Sequence, residues 1–380
     1  MPLTDPLHPI AAVTHAAPYD YYRRLADGPP LRFDAALGCW LATGAAGVRA
    51  VLEHPACRVR PPGQAVPPNL AGTPCGAIFA ELVRMNDGER HAVPKQVLAR
   101  LQGRVAQLAG DRVPGSAVQL NAALFELPLY VMADLLGFAP AQWPALAAWT
   151  RDFVACLSPL SNGAQLAGAQ MAADALLQGF TALLREGTAL PGSLLDDVVS
   201  GARQAGWHAS GAVLANLAGL LSQTCEATAG LLGNAIVALR AQPQLLPQLG
   251  AAPRPWPAML REASRHDPAI HNTRRYTAQD ADFNGVLIPQ GQMIVVVLAS
   301  ACHDAGAYAE PGRFLLQRPG LALPGFGHGR HVCPGQSIAQ TIAAACLQAW
   351  ADGLASMPLA WRYLPSLNAR IPVFSPGEMT

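Results

Sequence analysis

Charge is scarce in this chain: 13% of its 380 residues are Asp, Glu, Lys or Arg, and Lys95 is the only lysine. The 26 basic and 25 acidic side chains leave a net charge of +1, so no overall field draws the protein to nucleic acid or an anionic membrane. A CxxC pair is also missing. The eight cysteines stand apart at 39, 57, 75, 156, 225, 302, 333 and 346, which argues against a zinc ribbon or a thioredoxin-like site. The opening stretch MPLTDPLHPIAAVTHAAPYDYYRRLADGPP has no basic segment followed by an unbroken apolar one. Neither a signal peptide nor a membrane anchor is expected, and the reading is a soluble cytoplasmic protein with most cysteines buried and reduced.

What is present is apolar residue, 51% of the chain, punctuated by 35 glycines and 34 prolines. That fraction excludes general disorder and provides for a large core. The length would allow two or three domains, but no linker or internal repeat is visible, so one domain over 1–380 is expected. Apolar residues recur at three- and four-residue intervals from about Glu89 to Arg240, and again in Pro257–Arg265 and Gln336–Trp350, which predicts helices. Short β-like segments fall at Val286–Pro289 and Met293–Leu298, and LRFDAALGCWLAT reads as a hairpin. Cys57–Thr73, with four prolines and two glycines, reads as a long loop. The fold class is therefore mainly α with a small β part.

Between Arg203 and Arg240 the only formally charged residue is Glu226. Asn216, Gln223, Glu226 and Asn234 interrupt the apolar run, so a buried central helix is favoured over a membrane span. A lone acid there must be paired, protonated or beside a wet cavity. A core Glu satisfied by a neighbour and a functional acid are both consistent with it.

The segment Phe326-Gly-His-Gly-Arg-His-Val-Cys333-Pro-Gly335 precedes a helical run. The spacing of Gly325, Gly327 and Gly329 does not make a dinucleotide loop. A zinc site from His328, His331 and Cys333 lacks a fourth ligand at standard spacing. The third reading is a cysteine in a glycine-shaped loop at a helix N-terminus, where dipole and N–H groups favour a thiolate suited to ligating haem iron.

These residues resemble the cytochrome P450 family, whose haem-binding pattern Phe-x-x-Gly-x-x-x-Cys-x-Gly is matched at every fixed position. The resemblance implies the cytochrome P450 fold, haem b (iron-protoporphyrin IX) as cofactor, and Cys333 as axial iron ligand. It places Phe326 beside the sulfur, has Gly327, Gly329 and Gly335 shape the loop, and puts His331 at a haem propionate. Glu262 and Arg265 match the family's Glu-x-x-Arg, with Arg313 of EPGRF as the third member of a structural triad. Arg275 matches a propionate-binding arginine, and His91 and Lys95 match a His-x-x-x-Arg pair with the same duty. Lysine keeps the charge there but loses the bidentate fork.

SQTCEATAG aligns with the family's oxygen-binding motif, which implies that Glu226 is the acid and that Thr224, Ala227 and Thr228 are its catalytic neighbours. Ala227 stands where the family has a threonine that helps deliver protons to oxygen, and it has no hydroxyl. Either Thr224 or Thr228, or the substrate's own hydroxyl or ordered water, completes the relay, or the chemistry is not hydroxylation; neutral drift with leaky coupling is the third reading. Coupling, ring formation and dehydration are the alternatives to hydroxylation, and a haem-binding protein with little oxygenase turnover is the rival from another class. Gln223, His271 and Asn272 are expected to give a polar ceiling for a small or carrier-tethered biosynthetic substrate. Electrons are expected from a separate ferredoxin and ferredoxin reductase, with Arg100, Arg104 and Arg330 as docking contacts.

Overall fold

The computed structural model describes residues 4–99, 113–185, 194–207, 210–250, 255–319 and 322–377. The chain divides into two compact units, one of Met1–Pro62, Ala109–Leu124 and Ala227–Thr380, the other of Gly63–Leu108 and Phe125–Glu226. Among the described residues no helix is long and apolar enough to cross a membrane.

The first unit holds the strands. These are β1 (Leu31–Asp34), β2 (Cys39–Ala42), β3 (Cys57–Arg58), β4 (Thr273–Thr277), the hairpin β5–β6 (Ala281–Phe283 and Val286–Ile288), β7 (Met293–Val296), and the pair β8–β9 (Leu359–Tyr363 and Pro372–Pro376). A five-stranded sheet runs in the order β1-β2-β7-β4-β3. The expected hairpin is present, with Leu31 opposite Ala42 and Asp34 opposite Cys39. Alternation of side chains feeds two separate cores. Ile294 and Val296 of β7 pack with Val48, Val51 and Leu52, whereas Val295 packs on the other face with Tyr22, Leu25 and Leu41. Cys57–Thr73 is mostly irregular, as its prolines predict, with one 3-10 turn at Pro68–Leu70.

Helices make up the second unit, including Pro74–Glu81, Glu89–Ala99, Trp143–Val154, Gly163–Arg185 and Leu194–Gln204. Phe138 meets Phe180 edge to face at 5.3 Å, and Tyr130 lies on Trp143 at 6.0 Å. The helix Ser210–Ala241 spans 32 residues. Leu217, Ala218 and Leu221 of its first half and Ala229, Leu232, Ala235 and Ile236 of its second are fully buried, as a helix apolar nearly all round must be. Its Gly233 permits close packing within the first unit: an added Cβ would come within 2.5 Å of the Pro372 ring.

Candidate active site

The loop that carries Cys333 is built by backbone geometry. Pro324–Phe326 forms one 3-10 turn and Gly329–His331 a second. Gly327 between them takes φ +80°, and an added Cβ would also crowd the His331 carbonyl at 3.2 Å, so a side chain is excluded twice over. The Cys333 amide donates to the Phe326 carbonyl at 2.8 Å and closes the loop. Gly335 then caps the helix Gln336–Ser356, six residues longer than its sequence pattern indicated. An added Cβ on Gly335 would lie 3.8 Å from the Cys333 sulfur, so glycine leaves that flank of the sulfur uncovered. Cys333 is exposed, whereas the other seven cysteines are buried. The first-turn N–H groups of the following helix favour negative charge at this position.

His328 does not join a metal cluster. Its Nε2 lies 2.6 Å from Glu53 Oε1, and among the described residues no group of three or more His, Cys, Asp or Glu is placed to hold a metal ion. His331 is half-buried beside Cys333 in the chain. Arg275 is buried on β4, with Nη1 donating to the Arg274 carbonyl at 2.8 Å. Phe326 is half-buried at the end of the first 3-10 turn.

Behind this loop in the sequence, Glu262 and Arg265 form a fully buried pair on the helix Trp256–His266. Arg265 donates Nε and Nη2 to the two carboxylate oxygens at 3.1 and 2.7 Å. Its remaining donors reach the carbonyls of Cys302, Pro311 and Arg313 at 3.0, 2.7 and 3.0 Å, so all five N–H groups are satisfied. The third member is not the Arg313 side chain. That guanidinium is 66% exposed and pairs with Glu310 at 2.6 Å; only the Arg313 carbonyl enters the cluster. Arg318 takes the place instead, 5% exposed, with Nε 3.1 Å from Glu262 Oε2. The EPGRF turn sends residue 313 outward, and the chain needs five more residues to bring a second arginine back over Glu262. The signal available in the sequence was Arg318 itself, a lone charge in FLLQRPG.

Two expected pocket residues are also reassigned. His271 is 1% exposed, with Nδ1 2.7 Å from the Tyr22 hydroxyl and Nε2 3.4 Å from Asp267. Asp267 lies 2.8 Å from Arg370, whose guanidinium donates to the carbonyls of Val13 and His15 and stacks 3.5 Å over the Tyr363 ring. Asn272 is equally buried and donates to the Leu367 carbonyl at 2.8 Å. Both side chains thus tie the chain end to the helix Trp256–His266 and β4, and neither makes a polar ceiling. Burial pushes His271 below its usual range, with Asp267 opposing. Burial alone would raise Asp267, but Arg370 and His271 outweigh it and hold its carboxyl well below the usual range. A depressed carboxyl stabilises the fold above its unfolded value of about 3.9 and loses that contribution as pH falls toward the folded value. Asp267→Asn is therefore expected to cost about 3–5 kcal/mol at pH 7. It is also expected to flatten the fall in urea midpoint below about pH 4; an unchanged acid limb would count against this role.

In the other unit, Glu226 is accessible to solvent, yet surrounding protein raises its carboxyl above the ordinary value, with Arg84 opposing. Thr224 donates its hydroxyl to the Leu220 carbonyl at 2.7 Å, and Gln223 donates to Gly219 at 3.0 Å, both one turn back along their own helix. Ala227 is half-buried and Thr228 is 1% exposed. Thr224 is thus committed as a donor to its own helix, against the expected relay. Cys225 is buried, and burial followed by the neighbouring Glu226 pushes its thiol up to about 12. His91, buried, and Lys95, half-buried, fall one turn apart on the helix Glu89–Ala99. Arg100 and Arg104 lie outside the described residues; Arg330 is exposed.

The family model for cytochrome P450 matches residues 256–349, the stretch that contains both the Glu262 cluster and the Cys333 loop. The chain is 29% identical to cytochrome P450 107B1 of Saccharopolyspora erythraea, covering 72% of this chain and 70% of that protein. It is 28% identical to the cytochrome P450 monooxygenase PikC of Streptomyces venezuelae, over 88% and 83% of the two chains. The chain belongs to the cytochrome P450 family. The fold of this P450 also matches that of CalO2 with a TM-score of 0.79 at 24% identity, over 95% and 96% of the chains. The structure of P450BioI with an acyl carrier protein carrying hexadec-9Z-enoic acid gives the same TM-score at 20% identity, over 94% and 96%. The P450 is an oxidoreductase, and its family's cofactor is haem. The residues present fit that group: one accessible thiol at a helix N-terminus, on a loop whose Gly327 admits no side chain and whose Gly335 leaves the sulfur uncovered.

Proposed function

We propose that this P450 oxidises a small, polar biosynthetic intermediate, free or carrier-tethered, using dioxygen and electrons from a separate ferredoxin and its reductase. The observation that carries the reading is the exposure of Cys333 alone among eight cysteines, on the glycine-shaped loop before the helix Gln336–Ser356. Cys333 would bind haem b as its thiolate ligand, with Phe326, Gly327 and Gly335 framing the sulfur. Arg275, His331, His91 and Lys95 would hold the propionates. When bound, haem with a thiolate ligand supplies reductive activation of dioxygen. Exposed Arg330 would meet the acidic face of the electron donor. The complex of P450BioI with an acyl carrier protein ligated to hexadec-9Z-enoic acid supports the carrier-tethered alternative.

The chain's own contribution to proton supply is Glu226, whose raised carboxyl retains a proton closer to neutral pH. The next step of the family relay is missing at Ala227, and Thr224 donates back to Leu220. A hydroxyl on the substrate, or water it orders, therefore completes the path. The same two observations support a second reading, in which the enzyme catalyses coupling, ring formation or dehydration and needs less proton delivery.

Ala227→Thr tests the relay. With a surrogate ferredoxin system, the variant is expected to raise product formed per NADPH consumed severalfold for substrates that lack a hydroxyl. For substrates that carry one, coupling is expected to stay level. Equal coupling of both proteins on both substrate classes would overturn the substrate-assisted relay. Absence of any product, with haem bound, would favour a haem-binding role.

A further inference from the structure

One carboxylate stands at the wrong end of its helix. The helix Gly44–Glu53 closes on Glu53, with no basic residue in its last turn. A negative side chain there faces the negative end of the helix dipole, so it is locally unfavourable. Its partner lies 275 residues further along: Glu53 Oε1 is 2.6 Å from Nε2 of His328, in the loop that carries Cys333. A carboxylate only accepts, so the imidazole Nε2–H donates, in the neutral ring as in the protonated one. Arg330 of the same loop reaches the Glu53 carbonyl with Nη2 at 3.5 Å. The last-turn carbonyls of a helix favour both of these donors.

The helix behind Glu53 is anchored along its length. Its first amides, those of Gly44 and Ala45, donate to Ser300 Oγ at 3.0 Å and Asp304 Oδ2 at 2.7 Å. Asp304 thus places a carboxylate at the end where the dipole favours one. Val48, Val51 and Leu52 are buried against Ile294 and Val296 of β7. Gly47 lies so near Pro30 that an added Cβ would come within 2.2 Å of the Pro30 carbonyl oxygen. The far end of the helix meets the Cys333 loop through backbone as well as side chain. Gly329 takes φ +64°, and an added Cβ would sit 3.6 Å from the Leu52 carbonyl oxygen and 3.7 Å from Glu53 Cγ. The turn Gly329–His331 therefore rests on the helix end, and the Glu53–His328 contact holds its entry. As a surface pair, 53% and 43% exposed, that contact adds little to global stability. Its effect falls on the loop it holds.

We infer that Glu53 is a positioning residue for the haem-ligating loop: through His328 it holds Cys333 in place as the axial thiolate. The inference rests on Cys333 as the iron ligand and extends the site to a residue outside every motif matched above. With His328 held, the turn Gly329–His331 and the Cys333 amide on the Phe326 carbonyl close the loop on a rigid support. Without Glu53 the loop keeps that backbone closure but loses its side-chain tether to the sheet-packed helix. The sulfur then leaves iron more readily.

Haem-loaded full-length protein, reduced and treated with carbon monoxide, reports the ligand directly. In a fixed, mild concentration of urea its thiolate-type Soret band decays as the sulfur is lost from iron. Glu53→Ala is expected to speed that decay roughly two- to fivefold, the range for one exposed charged hydrogen bond. His328→Gln should do the same, and the double variant should be no faster than either single one, because the two residues act as a unit. Glu53→Gln keeps an acceptor and should retain part of the protection. Arg313→Ala serves as control: it breaks a surface pair of the same 2.6 Å length on the EPGRF turn and should leave the decay unchanged. The urea midpoint of unfolding, followed by circular dichroism, is expected to stay level or rise slightly in Glu53→Ala, since the unfavourable dipole contact is gone. An unchanged decay in Glu53→Ala, an equal acceleration in Arg313→Ala, or an acceleration matched by a lower midpoint would end the proposal. Failure of the ligand assignment looks different: the unaltered protein would bind haem without any thiolate-type band.

Discussion

Cys333→Ala is expected to leave the fold standing and to abolish the thiolate-type Soret band of the reduced, carbon monoxide-treated protein, with turnover falling to background. The sulfur is exposed, so its removal opens no buried cavity. The loop is held by the Cys333 amide on the Phe326 carbonyl and by glycines, none of which involves the side chain. No other cysteine is placed to substitute. Burial pushes Cys225, Cys302 and Cys346 up to about 12, which disfavours a thiolate. A band that persisted in Cys333→Ala would move the ligand elsewhere and dissolve the site as described. Circular dichroism of both proteins separates loss of the ligand from loss of the fold.

Arg318→Ala is expected to lower stability by about 3–5 kcal/mol, the cost of removing one partner from a buried ionic cluster. Arg313→Ala should stay within about 0.5 kcal/mol, as surface substitutions do. The contrast follows from placement: Arg318 bonds both oxygens of the fully buried Glu262, whereas the Arg313 guanidinium reaches only Glu310 at the surface. Removing Arg318 also takes one donor each from the carbonyls of Ala309, Glu310 and Arg313, of which Glu310 keeps the Arg313 amide and Arg313 keeps Arg265. Urea midpoints of the two variants decide the matter. Equal losses would mean that the EPGRF arginine acts through more than its backbone carbonyl.

The difference between those two arginines marks a limit of reading along the chain. Phe326 to Gly335 was legible because its chemistry is local: glycines and a cysteine within ten residues make the turn, the cap and the exposed thiol by themselves. Glu262 and Arg265 were legible for the same reason, since i, i+3 spacing on a helix brings the two together whatever surrounds them. The third arginine was not, because a turn decides which of Arg313 and Arg318 faces inward. His271 and Asn272 failed as pocket residues on the same ground. Their sequence neighbours are polar and open to several readings, while their actual partners, Tyr22 and Leu367, are 249 and 95 residues away.

By itself, then, the sequence determined the mainly helical fold, the glycine-shaped Cys333 loop, the Glu262–Arg265 pair, the position of Glu226 and the missing hydroxyl at Ala227. Each is a matter of residue identity or of spacing within a few turns. Only the tertiary structure decided that Arg318 completes the Glu262 cluster, that His271 belongs to the Asp267–Arg370 network, and that Thr224 donates to its own helix. The physical reason is common to Arg318 and His271, whose partners lie far along the chain. A hydrogen bond or ion pair is fixed by where two distant backbones place their side chains, and burial then sets the cost of leaving either one unmatched. In a chain with so few charges, that cost gives nearly every buried one an assigned partner.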